Sequence, residues 1–177
     1  MEHDADAQAS GLEAYRLGRS YDVMPIAMVP EHCVSVPAGP ITFVVEARRL
    51  TDDAIISSAE EQGRRAAIDE PAGVDDGGAS LHVLGAEDGL EHLRFDCFDR
   101  EPHYHYIRNA ERSNVVVRLD TFAEGDPAGW VLTKVRSRLP EMLGHAGAVE
   151  LAREVGERRD EVLAALPEVE RLLAAAS

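Results

Sequence analysis

The stretch LRFDCFDREPHYHYIR, Leu93 to Arg108, decides how this chain folds and where its chemistry sits. Apolar and polar residues alternate on both sides of its central DREP, the pattern of two strands that each bury one face. Read as a hairpin, the outgoing strand is Leu93 to Phe98, the loop is Asp99, Arg100, Glu101 and Pro102, and the return strand is His103 to Arg108. That loop sets Phe98 opposite His103, Cys97 opposite Tyr104, Asp96 opposite His105, Phe95 opposite Tyr106 and Arg94 opposite Ile107. Opposed residues share a face, and faces alternate along a strand. One face therefore collects Leu93, Phe95, Cys97, Tyr104 and Tyr106, and the other carries Arg94, Asp96, Phe98, His103 and His105. A slip of one residue would mix the histidines with the core aromatics, so this alternation is strongly specified.

The same pattern extends outward. From Asn114 to Thr121, Val115, Val117 and Leu119 suit the core face and leave Val116, Arg118 and Asp120 on the polar one. Upstream, a short strand from Ser80 to Ala86 precedes the hairpin signal Asp88-Gly89. The middle of the chain thus reads as a meander of strands near 81–86, 92–98, 103–108 and 114–121. His82 joins either face, depending on a bulge in that first turn. Ile41 to Leu50 alternates as a further strand, and the four prolines between Tyr21 and Pro40 restrict that segment to extended or edge pieces. Thr51 caps a helix running to about Glu61, with Asp52 and Asp53 in its first turn. EPAGVDDGGAS, Glu70 to Ser80, has the composition of a mobile connection.

Beyond Thr121 the period becomes helical. Asp126 with Pro127 starts a helix whose stripe is Val131, Val135, Leu139 and Met142; Pro140 predicts a kink or a split, and Gly144 with Gly147 a break. From Ala148 on, Leu151, Val155, Val162, Leu166, Val169 and Leu173 form an amphipathic tail with a gap at Arg158 or Arg159 and a bend at Pro167. The expected class is α+β: an antiparallel meander of four to six strands with C-terminal helices on its core face. The expected organisation is a mobile acidic leader over 1–20, an α+β domain over 21–145, and a helical tail over 146–177 packed on the domain or on a partner.

Composition narrows the function classes. A chain of 177 residues is most simply one domain. Its formal charge is -15, and 17 of its 18 basic residues are arginine. No segment is basic, which disfavours general nucleic-acid binding through phosphate contacts. No apolar run approaches the ~20 residues that span a bilayer, and the start MEHDADAQAS lacks the features of a signal peptide. Two cysteines, Cys33 and Cys97, fit a cytoplasmic protein with reduced thiols. The partners that remain are a small molecule or a protein, including a second copy of the chain through the C-terminal helix.

His103-x-His105 presents two imidazoles on one strand face, and Asp96 or Asp120 would complete the two-histidine, one-carboxylate set of non-haem iron and related metals. A divalent metal is the cofactor such a set would hold. A metal-free reading makes one histidine a general base oriented by Asp96 and the other an acid, with Arg94 or Arg118 stabilising an anion. Tyr104 and Tyr106 belong by register to the core face, with hydroxyls at its boundary where they would contact a substrate. Cys97 reads as a small buried residue, and the pairs Arg48-Arg49 and Arg64-Arg65 as solvated. A rival function class is an accessory or regulatory protein without catalysis, in which the polar face is a satisfied hydrogen-bond network.

The residues Arg94, Phe95, Asp96 and Pro102 to Tyr106 resemble a motif of uncharacterised bacterial proteins of unknown function, over about residues 80–145. Small toxin-like families share a similar order of arginine, aromatic, aspartate and then a histidine-rich strand, which would imply a nuclease-like toxin. The resemblance to the uncharacterised proteins implies no activity.

Overall fold

The computed structural model describes residues 16–70 and 73–177, so most of the expected leader lies outside the described residues. Seven strands form one antiparallel sheet: β1 (Arg19–Tyr21), β2 (Cys33–Ala38), β3 (Ile41–Thr51), β4 (Asp75–Gly85), β5 (Glu91–Phe98), β6 (His103–Arg108) and β7 (Ser113–Arg118). Their order is β1-β7-β6-β5-β4-β3-β2. The expected meander is present and longer than the four to six strands expected, because β1 adds to the far edge beside β7 and β2 closes the other edge.

The longest pairing joins β3 and β4 along their whole lengths. Its lower half is the Gly-rich stretch expected to be a mobile connection, and Gly77 and Gly78 are what let it pair. A Cβ on Gly77 would lie 2.7 Å from the Arg48 carbonyl oxygen, and one on Gly78 2.6 Å from that of Cys97. The small residues mark close backbone approach on both flanks.

Thr51 caps α1 (Asp52–Glu61) as its sequence predicts, its hydroxyl accepting from the Ala54 N–H. A short α2 (Thr121–Glu124) precedes α3 (Pro127–His145), α4 (Val149–Glu157) and α5 (Arg159–Ala176). The core forms where α3 and α5 lie on one sheet face. Phe43, Leu81, Leu93 and Phe95 meet Val135 and Leu139 of α3 and Leu166 and Val169 of α5, all buried. The stripe of the C-terminal tail is thus taken up by the domain itself.

Neither proline interrupts its helix. Pro140 lies inside α3 and Pro167 inside α5. A proline within a helix lacks the N–H that would bond the carbonyl four residues back. For Pro140 that carbonyl belongs to Arg136, and the Arg159 guanidinium donates to it at 2.6 Å. A side chain from the start of α5 thus replaces the missing backbone donor, and the helix continues through Pro140 without a split.

Candidate metal centre and its surroundings

The opposite face of the sheet is not open to water. Residues 22–29 run across it, held by side chains rather than by strand pairing: Asn114 donates to the Val23 carbonyl, Arg48 to the Ile26 carbonyl, and the Val29 N–H donates to Glu46. Gln62 of the turn after α1 bonds both the N–H and the carbonyl of Met24. Beneath this strap the polar residues of β3 to β7 are buried, including Glu46, Ser80, His82, Arg94, Asp96, His105 and Asn114.

The face assignments expected for the focal hairpin are observed, whereas the pairing is displaced by two residues. Asp96 lies opposite His103, Arg94 opposite His105, Phe95 opposite Tyr104 and Leu93 opposite Tyr106. The connection is correspondingly longer. Cys97 and Phe98 pair with β4 alone, the Asp99 N–H donates to Gly77, and the Pro102 carbonyl accepts from Leu119 on the β7 side. A shift of two leaves every side chain on its face and changes only its partner.

Asp96, His103 and His105 converge as a result. The Nε2 atoms of His103 and His105 lie 3.2 and 3.1 Å from the same carboxylate oxygen, Asp96 Oδ2. Among the described residues these three form the one group of histidine, cysteine or carboxylate side chains placed to share an ion, their donor atoms lying within 4.8 Å of one another. The other oxygen of Asp96 accepts from the Ser80 hydroxyl. His103 Nδ1 is 2.8 Å from the Glu101 carbonyl, and His105 Nδ1 is 2.9 Å from Asn114 Oδ1.

These outer bonds place the ring protons. A carbonyl only accepts, so His103 Nδ1 carries hydrogen. The Val23 carbonyl likewise takes the Asn114 amide N–H at 2.6 Å, which turns Asn114 Oδ1 toward His105 and puts hydrogen on His105 Nδ1 as well. In a neutral ring the other nitrogen is then a lone pair. With both rings neutral, each Nε2 lone pair faces a carboxylate oxygen.

Burial disfavours the imidazolium of His105 and outweighs Asp96, leaving its pKa below the ordinary histidine value. His103 is buried too, but its contact with Asp96 prevails and raises it. Burial alone would raise Asp96; the two histidines overcome this and hold it well below the usual carboxylate range. A proton on His103 Nε2 satisfies one contact, and the His105 contact remains without one.

A cavity of about 360 Å³ opens beside the cluster, with His103, His105 and Asn114 among its lining residues. Its other walls come from the strap, from α1 and from the turn after it.

The remaining candidate residues are engaged by other partners. Arg94 is 2% exposed, and its guanidinium is engaged by both oxygens of Glu91 at 2.8 Å. Arg118 is exposed and pairs with Glu101. Asp120 caps α2, accepting from Phe122 and Ala123. Tyr104 and Tyr106 point to the helix side of the sheet, Tyr104 packing on Trp130 with ring centroids 5.2 Å apart. The Cys97 thiol is pushed up to about 12 by burial, which leaves it a packing residue.

A second buried cluster lies on the same face. His82, 0% exposed, joins Glu46 at 3.1 Å and Glu91 at 2.6 Å, and Arg48 bonds Glu46 at 2.7 Å. Arg48, read from sequence as solvated, is almost wholly buried, while Arg49 is exposed against Asp75. The strand pairing shifts between Val83 and Leu84, setting Leu93 opposite Val83 but Glu91 opposite Leu84. This bulge at His92 carries Glu91 onto the polar face beside Arg94, where strict alternation would have put it in the core.

Residues 1–15 aside, the helices carry no membrane signal: among the described residues none is long and apolar enough to cross a membrane. Comparison with curated proteins and with solved structures finds no match to this chain. Comparison with family models does, over most of the sheet and the helices that pack on it. The chain belongs to the family described as Domain of unknown function (DUF7700), whose model matches residues 35–173.

Proposed function

We propose that Asp96, His103 and His105 bind one divalent transition-metal ion, and that the protein is a metal-dependent enzyme acting on a small molecule in the adjoining cavity. The observation that carries this reading is the direction of the two Nδ1 protons. With both held by outer acceptors, three electron-pair donors converge on one point without enough hydrogens to separate them, and a cation is what such a point attracts. Metal-binding histidines characteristically donate their second ring N–H to a carbonyl or similar acceptor, as both do here.

Spacing supports the same reading. An ion about 2.1 Å from each donor keeps donors at right angles about 3.0 Å apart and tetrahedral ones about 3.4 Å apart. The observed 3.1 and 3.2 Å lie between these. Two imidazoles and one carboxylate suit iron(II), zinc or a neighbouring ion, and three protein donors leave coordination positions for water or a ligand. A metal-free acid–base site would instead need an Nε2 directed at the substrate, and both Nε2 atoms face Asp96.

The test is elemental mass spectrometry on untagged protein purified without chelator, beside the His103→Ala/His105→Ala double variant. The expected result is about one equivalent of a first-row metal in the wild type and background in the variant. Equal metal in both, or no uptake by the wild type on reconstitution with iron(II), manganese, cobalt, nickel or zinc, would overturn the proposal.

A further inference from the structure

We infer that the cavity beside the His103–His105 cluster takes a neutral, largely apolar ligand body, and that away from the histidine end its walls reject a carboxylate, phosphate or sulfonate. The inference rests on the metal reading only for what the bound molecule meets at the histidine end. Its selectivity comes from the walls.

Those walls are apolar on two sides. Val23, Met24 and Ile26 line the cavity from the strap, and Ile55, Ala59 and Ile68 line it from α1 and the segment that follows. Apart from the histidines, the polar groups that reach it are few, and Asn114 is already committed to His105 and Val23. No lysine or arginine is among the lining residues. The charged lining residues are Asp69 and Glu70, both exposed and so placed at the mouth.

The cations nearby are occupied. Arg19 pairs with Asp69 at 2.6 Å and Arg65 with Glu70 at 2.7 Å. An anionic group seated between these walls, away from the histidine end, would lose its water and gain no guanidinium or ammonium, and burying an unpaired charge costs more than apolar contact returns. An apolar body loses little and gains the walls. A volume of about 360 Å³ is at the small end of ligand sites, room for a molecule of one or two rings.

The experiment is calorimetric titration of the full chain with naphthalene-2-methanol and naphthalene-2-sulfonate, which share a ring system and differ in charge. In the His103→Ala/His105→Ala protein, which has no metal-binding histidines, we expect the alcohol to bind about tenfold tighter or better, and Ile55→Phe, which fills the cavity, to weaken it about tenfold. In Ile68→Lys the sulfonate should gain about tenfold through a new counter-charge, a gain that an unfolded variant cannot produce. The His103→Ala/His105→Ala protein alters the cavity only at the histidine end and keeps the apolar walls from the strap and α1, so its ranking reports on those walls alone. Sulfonate binding as tight as the alcohol in the His103→Ala/His105→Ala protein, or alcohol binding indifferent to Ile55→Phe, overturns the inference. Wild-type protein that takes up no metal yet keeps the ranking removes the metal reading and leaves this one standing.

Discussion

The polar face of the sheet carries two buried clusters, and they differ in how their charges are met. Around His82, Glu46 and Glu91 face Arg48, Arg94 and both nitrogens of the imidazole, so donors and acceptors close on one another. Burial opposes both carboxylates, yet hydrogen bonds from His82 and the arginines hold Glu46 and Glu91 at about 2. The cluster at Asp96 is built from the same residue types on neighbouring strands, but its two imidazoles have spent their fixed protons outward. A closed network specifies structure, whereas an open one is poised to take a further cation.

The largest expected effect is on the closed network. Arg94→Ala leaves Glu91 buried without its bidentate partner and should cost about 3–5 kcal/mol in urea unfolding. The pH response has a definite sign. Glu46 and Glu91, lowered to about 2 from 4.5, stabilise the fold fully above 4.5, and that contribution fades as pH falls toward 2. His82 runs the other way: its pKa is raised from 6.5, so its contribution is complete below 6.5 and fades as pH climbs through the raised value. In Arg94→Ala the acid limb should move to higher pH. A variant as stable as the wild type, with an unmoved acid limb, would erase the distinction between the clusters.

The open cluster should respond differently. Asn114→Leu removes the acceptor that orients His105 and should weaken metal binding about 10- to 100-fold. Competition against a chromogenic chelator measures this directly, and unchanged affinity would show that the protons on the two Nδ1 atoms do not shape the centre.

The smallest effect sharpens the contrast between the sheet and the helices behind it. Arg159→Ala strips the donor from the Arg136 carbonyl and should cost about 1 kcal/mol. In a Pro140→Ala background the backbone N–H returns, and the same substitution should cost almost nothing, which a double-mutant cycle reads from unfolding curves.

Much of the fold was legible in the residues themselves. Alternation from Leu93 to Arg108 settles which side chains share a face, because a pleated strand has period two and a half-buried sheet resists odd slips. Asp96, His103 and His105 were therefore placed together, and the capping signals at Thr51 and Asp126 mark true helix starts. That same period is blind to a shift of two, so which residue opposes Asp96 had to come from the neighbouring strands β4 and β7. Nor could alternation place Glu91, since one extra residue at a bulge reverses its face.

Burial of the polar face was illegible for a different reason. The strap over residues 22–29 is held by bonds to Glu46, Arg48, Gln62 and Asn114, distant in sequence and unmarked by any local period. Local periodicity determines faces because it arises within one strand; partners, cover and the dielectric around a charge arise between segments, and only the tertiary structure decides them.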